Sequence, residues 1–312
     1  MSTSVATGPN EPRQSEATRA RVRRTVWVTA TMAVCVVVAC GYGLLSANPY
    51  RGISEATRVS ARAQDALSLV VVPVLLIAAT RGGRSRRAHL VWLGLVAYLA
   101  YSYAIYLIGL PMNRCFLVYV AIELLAGAAL IDGVVRVRPA GWLRCPSRRL
   151  ERGTGWFLVV TGLLFAALWL TVLVPFAFGG PEPTPQGPGG APYPVFVLDL
   201  VVALPCVVAV GGLLLRGRVV GTPLAVVVLV KIVTLFTVLW AGVAVQAMTD
   251  VPVHLEADAG PSALLLAVSG WLTLRWLGHI RAGDGPFVRD TLWELDSEAG
   301  TDARATSDEE LR

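Results

Sequence analysis

The chain has 312 residues, of which 55% are hydrophobic and 15% charged, and its mean hydropathy is +0.62. Soluble domains carry about 25% charged residues, so the deficit argues against a water-soluble fold. A formal net charge of +6 does not mark a nucleic-acid partner, because the arginines fall in short clusters between apolar runs rather than along one face.

Apolar runs of about 20 residues recur along the chain, each long enough to cross a hydrocarbon core of roughly 30 Å at 1.5 Å per residue. Strands of about ten strictly alternating residues, the mark of a membrane barrel, are not found. The fold class is therefore an all-α polytopic transmembrane helix bundle. In chain order, residues 1–19 are polar and read as a disordered tail. Arg19, Arg21, Arg23 and Arg24 precede a first span over 26–46, which is too long for a signal peptide. A second span, 63–80, ends at Arg81, Arg84, Arg86 and Arg87. Spans over 88–110 and 115–135 follow, joined by a turn at Pro111-Met112-Asn113.

The most basic loop comes next and holds Arg136, Arg138, Arg144, Arg148, Arg149 and Arg152. A fifth span covers 155–178, a Pro/Gly-rich connection 179–194, and a sixth span 195–215. After Arg216-Gly217-Arg218 come a seventh span over 222–248, an acidic loop over 250–258 and an eighth span over 261–280. Residues 283–312 form a charged, mostly acidic tail. Placing the amino terminus inside puts the arginine clusters on one side and the acidic and Pro/Gly-rich loops on the other. One span more or fewer breaks that parity. The reading is eight spans over 20–282 in the cell membrane with both ends cytoplasmic, although Arg51, Arg58, Arg62 and Arg114 fall outside.

Ionisable groups within spans cost about 2.5–3.5 kcal/mol at the bilayer centre, so they face the protein interior and mark candidate sites. Lys231 and Glu123 lie near mid-depth and are the best-matched pair, while Asp65 and Asp199 lie about one turn inside their span ends. Two readings stand side by side: a buried ion pair that fixes helix register, or a polar cavity opening outward. Tyr98 and Tyr101 lie deep in the third span, where a hydroxyl needs a partner. Tyr103, Tyr106, Tyr42 and Tyr119 crowd nearby, and spacings of three and five place the span-three tyrosines on more than one face. Asn113, with Arg114 and Gln246, falls where the mouth of such a cavity would lie. The candidate ligand-binding set is Asp65, Tyr98, Tyr101, Asn113, Glu123, Asp199 and Lys231. Spans two and six share an Asp followed by a Pro, Asp65…Pro73 and Asp199…Pro205, as a parallel four-plus-four duplication requires.

No nucleotide-binding, metalloprotease or serine-hydrolase motif occurs. His89, His254 and His279 sit in different segments, and the five cysteines lack metal spacing. Neither a metal nor another cofactor is expected. The segments Gln64-Asp65-Ala-Leu-Ser-Leu, Tyr98-Leu-Ala-Tyr-Ser-Tyr-Ala-Ile-Tyr106, Asn113-Arg-Cys-Phe-Leu-Val-Tyr-Val-Ala121 and Val197-Leu-Asp-Leu-Val-Val-Ala-Leu-Pro205, with Lys231, resemble a group of uncharacterised bacterial multi-pass membrane proteins. The resemblance covers about half the chain and implies a shared fold in a bacterial plasma membrane, with no activity attached. Glu123 departs from that group's pattern. The favoured function is transport or binding of a small molecule or ion through an outward-facing polar cavity. The alternative is a non-catalytic scaffold or accessory protein. A membrane-embedded enzyme comes third, since no nucleophile–base set is recognisable.

Overall fold

Serines open three of the helices. Ser54, Ser85 and Ser147 each turn a side-chain oxygen onto a backbone N–H three residues on, at 3.2, 3.3 and 3.3 Å. These are the N-cap bonds that satisfy helix-start donors. A computed structural model describes residues 11–137, 147–183, 193–248 and 259–280, and every element in it is a helix. The helices are α1 (Glu11–Leu45), α2 (Glu55–Gly82), α3 (Arg86–Gly109), α4 (Phe116–Val135), α5 (Arg148–Ala177), α6 (Tyr193–Leu215), α7 (Gly221–Met248) and α8 (Ala259–His279). Residues 1–10, part of the basic loop with Cys145, residues 184–192, the acidic loop and the tail beyond residue 280 lie outside the described residues. So does the side chain of Gln246.

Helix α1 starts at Glu11, inside the stretch expected to be disordered. Glu, Arg, Gln and Ala dominate residues 13–20 and favour helix, and Pro12 sits in the first turn, where it is tolerated. Seven helices, α1 to α7, are long and apolar enough to cross a membrane. Helix α8 is 21 residues long but is diluted by Gly260, Pro261, Ser262, Ser269, Gly270 and Arg275, and it falls outside that set. Leu117, Leu124, Ile131 and Val135 lie exposed on α4, an apolar face of the kind that lipid rather than water covers. The molecule is a membrane-embedded helical bundle.

Helices α1 to α4 pack in a ring, each on the next and α4 back on α1. Helix α7 lies against α2 and α3, α6 against α3 and α7, α8 against α7, and α5 against α6. Replacing each helix by the one four later maps all but one of these contacts onto another. The α1–α2, α2–α3 and α3–α4 contacts match α5–α6, α6–α7 and α7–α8, and α2–α7 matches α6–α3. Only α1–α4 has a weak counterpart, a 2.9 Å hydrogen bond from Trp276 Nε1 on α8 to Thr154 Oγ1 on α5. That is the arrangement a parallel duplication builds. Its central seam, α3 on α7, is close because α3 carries Gly94, where a Cβ would collide with Val230 and crowd the Val227 carbonyl.

Candidate functional site

Two polar clusters occupy the interior, and α3 contributes tyrosines to both. The first surrounds Asp65, which is 1% exposed on α2. Tyr50, in the loop between α1 and α2, folds down to donate its hydroxyl hydrogen to Asp65 Oδ2. Tyr106 of α3 turns its hydroxyl to Asp65 Oδ1 at 3.2 Å and to the Ala61 carbonyl at 3.0 Å. Gly43 makes room, since any Cβ there would strike the carboxylate and the Tyr50 hydroxyl. Burial first, and the Asp65 charge second, push the Tyr50 hydroxyl far above the usual phenol range, so it remains a donor.

Deeper in the same cluster, Gln64 Nε2 donates to the Tyr98 hydroxyl and reaches Ser68 Oγ at 3.3 Å. Tyr106 also packs edge-on against Tyr50, Tyr103 and Tyr119, with centroids 6.1, 5.6 and 5.5 Å apart. The gap left among Gln64, Asp65, Ser68, Ser102, Tyr103 and Tyr106 is too small for a water molecule. The side chains around Asp65 therefore close on one another.

The second cluster is built on an irregularity in α6. Pro205 has no N–H to give the Val201 carbonyl, and its ring would clash there in a regular helix. The backbone widens instead into a π turn over Asp199–Ala203, closed by the Leu204 N–H on the Asp199 carbonyl. That turn aims the Asp199 carboxylate, 8% exposed, back into the bundle. Tyr101 of α3 donates its hydroxyl to Oδ1 at 2.8 Å, and Trp169 Nε1 of α5 donates to Oδ2 at 2.9 Å. Lys231 of α7 places Nζ 3.8 Å above the centre of the Tyr101 ring, a cation–π contact. Asp199 and Lys231 thus both meet Tyr101, yet the two make no ion pair within 4 Å.

Lys231 is also the only lysine in the chain; every other basic side chain of this size is arginine. An arginine could also stack on the ring, but it would bring five donors to satisfy there against the three of an ammonium.

Of the expected residues, Tyr101, Asp199 and Lys231 converge, and Asp65 and Tyr98 belong to the other cluster. The single pocket anticipated from sequence is not assembled, because the Tyr98 hydroxyl meets Gln64 on α2 whereas the Tyr101 hydroxyl turns to Asp199 on α6. Glu123 does not meet Lys231. Its Oε2 is buried without a hydrogen-bond partner on α4, which packs on α1 and α3, while α7 lies beyond α3. Equal depth matched the pair, but their directions around the bundle differ. Asn113 serves its own turn: its side-chain oxygen accepts the Cys115 N–H at 2.9 Å. Sequence reasoning missed Tyr50 and Trp169, which approach only through the tertiary fold. It also missed Asp132, whose ion pair with Arg136 four residues on was signalled by helical spacing.

No protein-family model, curated protein or solved structure matches the chain.

Proposed function

We propose that the chain is an eight-span protein of a bacterial plasma membrane, with both ends cytoplasmic, that binds and moves a small molecule or ion at the junction of α3, α6 and α7. The observation that carries this reading is the sole lysine poised over the ring of Tyr101, whose hydroxyl is bonded to Asp199 at a π turn. Intramembrane charges that lack a direct counter-ion are expensive and belong to working sites, and irregular turns within helices recur at such sites. Interrupted membrane helices near a repeat seam supply ion and substrate contacts in transporters. The eighth span is supported by Arg87, at the start of α3, which donates from Nε and Nη2 to the Ile280 carbonyl at 3.2 and 2.9 Å. Helix α8 thus returns from the far end of α7 to the arginine-rich end of the bundle.

The test is solute uptake by proteoliposomes across a panel of amino acids, organic acids, sugars and monovalent ions. For any solute the wild type moves, K231L is expected to abolish uptake while inserting at the wild-type level. Full uptake by K231L, or failure of the variant to accumulate while K231R behaves as wild type, would mark Lys231 as a structural charge.

A further inference from the structure

Arginine is scarce at the end of the bundle opposite its basic clusters, yet α2 begins there with Arg58 and Arg62. Gly52 of the preceding loop lies near Pro111 of the α3–α4 turn, which places both arginines at this end. Four residues apart, they share one face of the helix, and it is the Asp65 face. Both side chains are half-buried, and in both Nε is shut away from solvent with no hydrogen-bond partner. A buried charged donor without an acceptor is costly, and two on successive turns make the cost recur.

The acidic groups nearby do not answer them. Asp65 lies one turn beyond Arg62 on the same face, but both its oxygens accept from tyrosine hydroxyls. Glu55, one turn before Arg58, is exposed. Among the described residues neither arginine forms an ion pair within 4 Å. Two guanidinium groups beside one committed carboxylate leave a net single positive charge. Guanidinium matches phosphate and carboxylate oxygens in paired, planar hydrogen bonds.

We infer that Arg58 and Arg62 form an oxyanion site for a singly charged phosphate group, distinct from the Lys231 cluster and independent of whether that cluster transports anything. The same chemistry is offered by a phosphodiester lipid headgroup and by free inorganic phosphate.

The test uses the purified full-length protein in two arms. In detergent micelles, melting temperature is followed against inorganic phosphate at constant ionic strength. In phosphatidylcholine nanodiscs, it is followed against phosphatidylglycerol content. Stabilisation in at least one arm is expected, with the apparent affinity falling about tenfold or more in R58Q/R62Q and unchanged in R51Q, which alters an exposed arginine at the same end. A response to phosphate identifies a soluble ligand, and a response to phosphatidylglycerol alone identifies lipid. Should R58Q/R62Q not accumulate, R58K/R62K keeps both charges but lacks the planar guanidinium fork and is expected to weaken binding. The site is overturned if neither probe stabilises the wild type, if R51Q weakens the response as much as R58Q/R62Q, or if R58K/R62K binds as the wild type does.

Discussion

Tyr101 does two things at once: its hydroxyl serves Asp199 and its ring carries Lys231. The two roles separate by substitution. Tyr101→Phe keeps the ring and removes one donor, so the expected loss in detergent-solubilised stability is about 1 kcal/mol. Tyr101→Leu also removes the cation–π contact, and a further loss of about 0.5–2 kcal/mol is expected. Thermal unfolding of the three proteins measures both steps; equal melting temperatures for the two variants would mean that the ring does nothing for Lys231. At this scale the sequence was informative about depth and silent about direction. Asp65, Asp199, Lys231 and Glu123 were all legible as charges inside spans. Which of them meet depended on the rotation of α3, and no local pattern reports that for a helix contacted on several sides. Tyr50 looked like a loop residue because its partner lies 15 positions away.

Helix α6 shows how one proline shapes an element. In the interior of an ordinary helix, replacing Pro by Ala gains about 3 kcal/mol, so a proline that is only a tolerated kink should yield a more stable protein as Pro205→Ala. Here the new N–H would close on Val201, tighten the π turn and rotate Asp199 by roughly 100°, away from Tyr101 and Trp169. The expected melting temperature of Pro205→Ala is therefore no higher than that of the parent; a rise of several degrees would show that the π turn contributes nothing to Asp199. Proline at this position was visible in the sequence, and a kink was the natural expectation from it. The π turn was not, since whether a chain bends or widens around proline is decided by neighbours such as Trp169. A second turn carries its own test. Gly217 joins α6 to α7 with φ +66°, a conformation that costs a residue with a Cβ about 1 kcal/mol. Gly217→Ala is expected to lower stability by that amount in the same unfolding assay, and an unchanged value would mean that the turn relaxes freely.

At the scale of the molecule, the helices and their order were legible in the apolar runs and the arginine clusters that separate them. The neighbour pattern adds that the halves α1–α4 and α5–α8 are arranged alike around the α3–α7 seam, which the Asp–Pro likeness of the second and sixth spans had only hinted at. Sequence could not supply this, because helix adjacency depends on small contacts such as Gly94 against Val230 rather than on composition. Even the weakest run, α8, packs along α7 and reaches Arg87. The topology is checked by single cysteines introduced at Ser54 and at Arg84 in a cysteine-free background and labelled in intact cells with a membrane-impermeant maleimide. Modification at 54 and protection at 84 are expected; the opposite result would invert the orientation.

Binding at the Lys231 cluster requires that solute reach it from the water on the side of Ser54, and the chain's single lysine allows a direct measurement. Intact cells or oriented proteoliposomes are treated with a membrane-impermeant amine acylating reagent from that side, and modification of the Lys231 peptide is read by mass spectrometry against a denatured control. Lys231 is expected to be acylated from that side and protected from the other. A lysine that stays unmodified from both sides, while the denatured control reacts fully, would contradict it.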